Sequence, residues 1–286
     1  MAMGRYIHWG LEQAGHEVIS IGPWSRGSIP WEGVTEYPKK YWFPPTVESP
    51  DVPIIEMKNV FETLRLAKIK PDLLIQAADT YYISGKAPVP NIVIGTDPHV
   101  VNYDLQKEHA DKYFSMQDHY RKPDDGWMPY GYDPEIYKYL PTVKQKYDVV
   151  LCGLQYDHRK RVLDGVAAKG WRVFAGIGYI YDEYVKLYNS APIAFNWSSK
   201  MDLPARFWEG LAMCRCVVTN HVPDLRKFDF IDGEDYVGFN SEDEAIAKID
   251  TLLNNPKEMK RIAENGYKKV QPHTFKARVE KMLEEI

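Results

Sequence analysis

Asp202-Leu-Pro-Ala-Arg-Phe-Trp-Glu-Gly-Leu-Ala-Met-Cys-Arg-Cys-Val-Val-Thr-Asn220 reads as a short helix running into a buried strand. Pro204 suits a first helical turn, where its missing N–H does no harm. Leu203, Phe207, Leu211 and Ala212 fall on one side at helical spacing. Arg206 and Glu209 are three apart and share another side. Val217-Val218-Thr219 follows as strand. Ligands in α/β domains settle beyond the carboxyl ends of parallel strands, so a cation and a carboxylate at such a junction are well placed to hold one. A surface ion pair at this spacing, worth about 0.3 kcal/mol, is the plainer reading of the same two residues.

Strand and helix alternate outward from this stretch in both directions. Tyr147–Gly153 reads as strand, Arg159–Lys169 as helix, Trp171–Ala175 as strand, Asp182–Tyr188 as helix and Pro192–Asn196 as strand. Glu234–Phe239 adds a short strand. Ser241 caps a helix to Leu253, with Glu244 three residues on, and Pro256–Val270 and the run from Phe275 to Ile286 are further helices. Upstream, Gly4–Gly15 reads as a helix closed by glycine, His16–Gly22 as strand, Asn59–Lys68 as helix, and 72–77, 91–96, 112–116 and 127–131 as strands. Only Met1-Ala-Met3 precedes the first helix, where an α/β domain ordinarily places a strand. Residues 23–53 are rich in Pro, Trp and Tyr and read as a long loop. Lys39, Lys40, Tyr41 and Trp42 within it could stack on and attract an acceptor, or pack on their own domain. The polar join Leu140–Lys146 is the expected domain boundary.

The 286 residues suffice for two domains with separate cores. Apolar residues at 44% and charged residues at 27% describe a globular chain. A formal net charge of −4 gives no electrostatic case for a nucleic-acid or membrane partner. The three cysteines are Cys152, in an apolar run, and Cys214 and Cys216, too close for a relaxed bridge. So sparse and odd a set fits a reducing compartment. With no signal peptide and no membrane-length apolar run, the expected location is the cytoplasm. C-x-C without further ligands at metal spacing predicts no metal.

Three constellations could carry chemistry. Gly153 to Arg161 is a strand, a glycine and a helix start bearing Arg159, Lys160 and Arg161. Cations are unfavourable beside a helix N-terminus, so a bound diphosphate would account for them; a solvated basic helix start is the alternative. The G-x-G-x-x-G and P-loop spacings are missing. Glu209 is the second piece, a carboxylate of the kind that holds ribose hydroxyls. Asp97 and His99 are the third, at a strand's carboxyl end, where either could orient or deprotonate a hydroxyl; taken alone, His99 reads as a hydrogen-bonded structural histidine.

Residues 147–283 resemble the nucleotide-sugar-dependent group-1 glycosyltransferases of the GT-B fold, and look closest to the spore-maturation-type branch. The matching residues are Asp148–Gly153, Tyr188–Asn196, Arg206-Phe-Trp-Glu209-Gly-Leu-Ala212, Val217–Pro223, Asn265-Gly266 and His273–Arg278. The first half is similar more loosely, through Lys70–Leu74, Thr96-Asp-Pro-His99 and Pro129–Glu135. The resemblance implies two Rossmann-like doubly wound domains facing across a cleft, with the opening strand of the N-terminal domain missing. It implies an acceptor-side domain at 1–142, a donor domain at 147–272, and a last helix, 273–286, crossing back to the first domain. It further implies transfer of a sugar from a nucleoside diphosphate, UDP foremost, to an acceptor hydroxyl, with retention and without a metal. Gly153, Arg159, Arg161, Arg206 and Glu209 would then bind the donor, Asp97 and His99 would serve catalysis, and Tyr41 and Trp42 would meet the acceptor.

Two departures from the family pattern stand out besides the start. Met201 occupies the place of the first of two glutamates, and Met213-Cys214 replaces a Cys-Gly turn. A non-catalytic relative that binds nucleotide or glycan as a partner subunit, and a GT-B-fold epimerase, are the rival readings. The acceptor, whether polysaccharide, protein or modified DNA, is not legible in the sequence.

Overall fold

The computed structural model describes residues 3–22, 47–48, 56–78 and 83–286. They group into two compact units: Met1–Tyr130 with Phe275–Ile286, and Gly131–Thr274. In the first unit the elements are α1 (Gly4–Gln13), β1 (Ile21–Gly22), β2 (Val47–Glu48), α2 (Met57–Leu66), β3 (Leu74–Ala78), β4 (Asn91–Gly95), α3 (Asp104–Glu108), β5 (Lys112–Ser115) and β6 (Gly126–Trp127). β3, β4, β5 and β6 form a parallel sheet in that order, and β1 and β2 pair separately. Of the strand expected at His16–Gly22, only Ile21–Gly22 pairs. α1 is the first element among the described residues.

The second unit contains β7 (Val149–Cys152), α4 (Asp157–Ala168), β8 (Val173–Gly176), α5 (Tyr181–Asn189), β9 (Ile193–Asn196), α6 (Ala205–Ala212), β10 (Cys216–Asn220), β11 (Val237–Phe239), α7 (Glu242–Asn254) and α8 (Pro256–Val270). All five strands are parallel, in the order β11-β10-β9-β7-β8. The chain runs from β7 out to β8, then returns to the other side of β7 for β9. The strand order therefore reverses between β7 and β9, which opens a crevice at their carboxyl ends. Val149, Leu151, Ile193, Phe195, Cys216 and Val218 are buried with Val162 and Val166 of α4, Ile249 of α7 and Ile262 of α8. Helices cover both sheet faces, which is why these strands read as unbroken apolar runs. Ser241 caps α7 as expected, its hydroxyl accepting the Glu244 N–H at 3.2 Å.

α9 (Phe275–Leu283) closes the chain and packs on α1 within the first unit. The Tyr6 and Phe275 rings stack at 5.0 Å. A Cβ on Gly10 would lie 2.9 Å from the Phe275 carbonyl oxygen, so glycine lets the helices meet. The observed change of unit falls at 130/131, earlier than the expected boundary. Residues 131–146 lie with the second unit because their polar groups are satisfied there. Leu140 N–H donates to Asn189 Oδ1 at 2.7 Å, Lys146 N–H to the Ser190 carbonyl at 2.8 Å, and Tyr132 N–H to the His273 carbonyl at 3.2 Å.

Four helix ends share one geometry, with different residues at the left-handed position. After α1 it is Gly15 (φ 92°) and after α4 Gly170 (φ 94°); after α2 it is Lys68 (φ 58°) and after α6 Cys214 (φ 57°). At α6, Cys214 N–H donates to Leu211 O and Arg215 N–H to Gly210 O, which is the Schellman pair. The glycine that the family pattern expects at the place of Cys214 thus belongs to a backbone position where a side chain costs about 1 kcal/mol. Lys68 is exposed in the same motif. Lys68→Gly is therefore expected to stabilise the first unit by about 0.5 kcal/mol, seen as a rise in urea midpoint at constant slope.

Candidate functional site

Gly153 follows β7 and Asn196 ends β9, so the crevice lies between them. Arg206, from the first turn of α6, spans it. Its Nε donates to the Cys152 carbonyl at 3.1 Å and its Nη1 to Asn196 Oδ1 at 2.7 Å. Its Nη2 lies against Gly153, where an added Cβ would sit 2.8 Å away. Gly153 is therefore glycine for close approach of a guanidinium. Nη2 has no hydrogen-bond partner among the described residues, which leaves a charged donor at the carboxyl-end crevice.

Glu209 follows on the same helix, with 8% of its surface exposed. Tyr184 of α5 donates its hydroxyl to Glu209 Oε2 at 2.8 Å. Burial pushes the Glu209 carboxyl above its ordinary range, opposed by hydrogen bonds from Tyr184 and Tyr137 and by the Arg206 charge. A carboxylate this buried keeps its charge only through such donors.

Arg159 is also part of this constellation, in a role that spacing alone did not give. Helix α4 begins at Asp157, two residues before the expected start. Asp157 supplies the acidic group that a helix N-terminus favours. Arg159 is buried, with Nε 2.8 Å from the Trp197 carbonyl and Nη1 2.7 Å from that of Leu154. It ties the turn after β7 to the end of β9. Burial, together with the nearby Arg206 charge, lowers its pKa to about 10. Two guanidiniums thus border one turn, held mainly by carbonyls rather than by carboxylates. Arg161 is not brought to this turn. Its fork pairs with Glu242 of α7 at 2.8 and 2.6 Å on the exposed side of α4, because two residues further along a helix points the side chain away.

Asp97 and His99 belong to the first unit, just past the carboxyl end of β4. Asp97 N–H donates to the Tyr103 hydroxyl at 3.2 Å, and the Thr96 hydroxyl donates to Asp97 Oδ2 at 3.2 Å. His99 Nε2 lies 4.0 Å from Asp97 Oδ1. The His99 ring is 5.8 Å from that of Tyr120, and its Nδ1 is buried without a hydrogen-bond partner among the described residues. The two side chains are thus adjacent and oriented by their own unit. Tyr41 and Trp42 lie outside the described residues.

Tyr137 and Tyr184 line the candidate site and were passed over by motif reading, and Tyr188 was met only as the first residue of the run Tyr188–Asn196. Their signal was present as two tyrosines one turn apart in a helix between two buried strands. All three cysteines are free. Burial raises the Cys152 pKa to about 11, so no thiolate nucleophile stands at the turn. Among the described residues no three His, Cys, Asp or Glu side chains gather as metal ligands. No described helix is long and apolar enough to cross a membrane.

A family described as glycosyl transferase-like has a sequence profile that matches residues 138–284. Among solved structures, sucrose-phosphate synthase from Thermosynechococcus elongatus superposes with a TM-score of 0.62 at 16% identity, over 99% of this chain and 91% of that one. Anabaena HepE in complex with UDP and glucose gives 0.60 at 12% identity, over 80% and 82%. A glycosyltransferase from Rickettsia africae gives 0.55 at 12% identity, over 83% and 81%. At such identities the likeness is one of fold. No curated protein matches the sequence. Two parallel sheets clad in helices, and a profile covering the whole Arg206–Glu209 region, lead to one statement: the chain belongs to the glycosyl transferase-like family, a group-1 glycosyltransferase of the GT-B fold.

Proposed function

We propose that this glycosyltransferase takes a UDP-linked hexose as donor and transfers the sugar to an acceptor hydroxyl with retention at the anomeric carbon. In that reaction the bond from the anomeric carbon to the diphosphate oxygen breaks. The acceptor oxygen takes its place and releases its proton. The observation that carries the reading is Arg206, seated on Gly153 with an uncommitted Nη2 at the β7–β9 switch point and the buried Glu209 one turn away. Arg206 would neutralise the departing diphosphate, Arg159 would add field from behind, and Glu209 would hold the ribose. With charge supplied this way the transfer runs without a metal ion. Asp97 and His99 would orient the acceptor hydroxyl or take its proton, with Tyr41 and Trp42 on the acceptor side. The UDP bound by HepE supports the choice of base, and the spore-maturation-type branch rests on the Arg206-Phe-Trp-Glu209 run.

Calorimetry with UDP and UDP-sugars tests this. Wild-type protein is expected to bind UDP in the micromolar range, and Glu209→Ala to weaken it about tenfold through loss of charge-assisted ribose contacts. No binding tighter than about 1 mM by the wild type overturns the reading. Turnover is expected to persist in EDTA.

One observation favours a second reading. Met201 stands at the carboxyl-end side of β9, 42% exposed, where the family pattern has a glutamate. A chain without that carboxylate could bind donor as a non-catalytic partner subunit. Release of free sugar or glycoside from UDP-sugar by the purified protein, read by product mass, excludes it.

A further inference from the structure

Glu209 and Arg206 are held in place by α5, a helix that the family run Tyr188–Asn196 touches only at its last turn. Tyr184 and Tyr188 lie one turn apart on α5, with rings stacked at 4.3 Å and 24°. Both are buried, Tyr188 completely. Rings in such a core would pack equally well without hydroxyls, yet the two hydroxyls are hydrogen-bonded to each other and each also meets a group of the candidate site. The Tyr184 hydroxyl donates to Glu209 Oε2 at 2.8 Å. The Tyr188 hydroxyl accepts the Cys152 N–H at 3.3 Å. The Cys152 carbonyl in turn accepts from Arg206 Nε at 3.1 Å, and the next residue is Gly153, against which the guanidinium lies. Both backbone polar groups of Cys152 are thus engaged, its N–H by Tyr188 and its carbonyl by Arg206. Tyr137 sets its ring edge-on to Tyr184 at 5.9 Å and adds a second hydroxyl to Glu209.

We propose that Tyr184 and Tyr188 are positioning residues for donor binding: Tyr184 fixes the carboxylate of Glu209 for the ribose, and Tyr188 fixes the Cys152–Gly153 turn that backs Arg206 for the diphosphate. This rests on the donor reading above. Among the described residues, the titratable groups facing Glu209 are Tyr184 from α5, Tyr137 from the segment before β7, Cys152 from β7 and Arg206 from its own helix. Only Arg206 among them is charged at neutral pH, so the hydroxyls are what aim the carboxylate and keep it ionised in its buried place.

The test is a double-mutant cycle read by calorimetry with UDP and 2′,3′-dideoxy-UDP, with thermal melts confirming that each variant is folded. Tyr184→Phe is expected to weaken UDP about five- to tenfold and the dideoxy analogue less than about twofold. In a Glu209→Ala background the same change is expected to have no further effect on UDP. The low-pH limb of UDP binding is expected to move to higher pH in Tyr184→Phe, because a donor that held the carboxyl down has gone. Tyr188→Phe is expected to weaken both nucleotides alike. Should Tyr184→Phe unfold, Tyr137→Phe removes the other hydroxyl from the same carboxylate and is expected to show the same selectivity. Equal losses on both nucleotides for the Glu209-linked variant, or an undiminished effect in the Glu209→Ala background, overturn the inference while leaving the donor reading intact. A wild type that binds neither nucleotide overturns the donor reading, and this inference with it.

Discussion

Arg206→Ala is expected to lower turnover on a nucleoside-diphosphate sugar by roughly a hundredfold to a thousandfold, the range seen when one preorganised donor to developing charge is removed. Two of the three guanidinium nitrogens are fixed by the Cys152 carbonyl and by Asn196 Oδ1. The third is directed along Gly153, at the carboxyl ends of the two strands between which the sheet reverses. A side chain held at two points does not reorganise when charge develops on a leaving oxygen, and that is what gives a cation catalytic value there. Burial disfavours its charge, and the Glu209 carboxylate, the group beside it that is ionised at neutral pH, helps to offset this and keep it cationic. Arg206→Lys is the control. An ammonium is a point charge that cannot reach the Cys152 carbonyl, Asn196 and the ligand together. It is expected to recover UDP affinity in part and turnover hardly at all. A thermal melt separates site from fold, since losing Arg206 leaves the Cys152 carbonyl and Asn196 Oδ1 short of donors at about 1–3 kcal/mol. Turnover within threefold of wild type in a folded Arg206→Ala protein would remove Arg206 from the transition state.

How much of this could be read beforehand varied with the range of the contact. The apolar runs at 149–152, 193–196 and 216–220 signalled buried parallel strands because both faces are covered, and the helix at 205–212 followed from Pro204 and its spacing. Gly153, Arg206 and Glu209 were legible as a set because they sit at strand ends and on one helix. Arg159 and Arg161 read together as an anion patch by spacing, although the sequence holds the means to part them. Arg159 shares the i, i+3, i+4, i+7 face of Val162, Leu163 and Val166, all buried, so it had to point inward. Arg161 falls off that face, and its partner Glu242 is 81 residues away, beyond any local rule. The partners of the tyrosines lie beyond local rules for a similar reason: Tyr184 meets Glu209 across 25 residues and Tyr188 meets Cys152 across 36. Periodicity places a side chain on a face; only the packed fold says which polar atom waits there.

Gly266→Ala is expected to destabilise the second unit by about 2 kcal/mol, against the sign that helix propensity alone would give. In the middle of α8 a glycine costs about 1 kcal/mol relative to alanine, so an exposed position would gain from the change. Here the added methyl would overlap the Asp235 carbonyl oxygen and sit 2.6 Å from Leu211 Cδ2. The first is backbone. It belongs to a turn closed by the Asp235 N–H to the Ile231 carbonyl at 2.9 Å and by Ile231 N–H to Asp235 Oδ2 at 2.9 Å, so it has little freedom to retreat. The second is on α6, the helix that bears Arg206 and Glu209. Asn265 completes the clamp by donating to the Glu234 carbonyl at 3.2 Å. The Asn265-Gly266 pair, part of the family pattern, is in this light a packing device that sets α8 against the turn and against α6, with no atom of its own at the crevice. Overpacking against backbone typically costs 1–3 kcal/mol beyond what the propensity returns, which in a unit of this size lowers the melting temperature by roughly 4–8 °C. UDP affinity measured well below the melt is expected to stay within about threefold, since α6 shifts slightly at its far side. An unchanged melt with abolished UDP binding would reverse the assignment and make Gly266 a ligand-approach glycine.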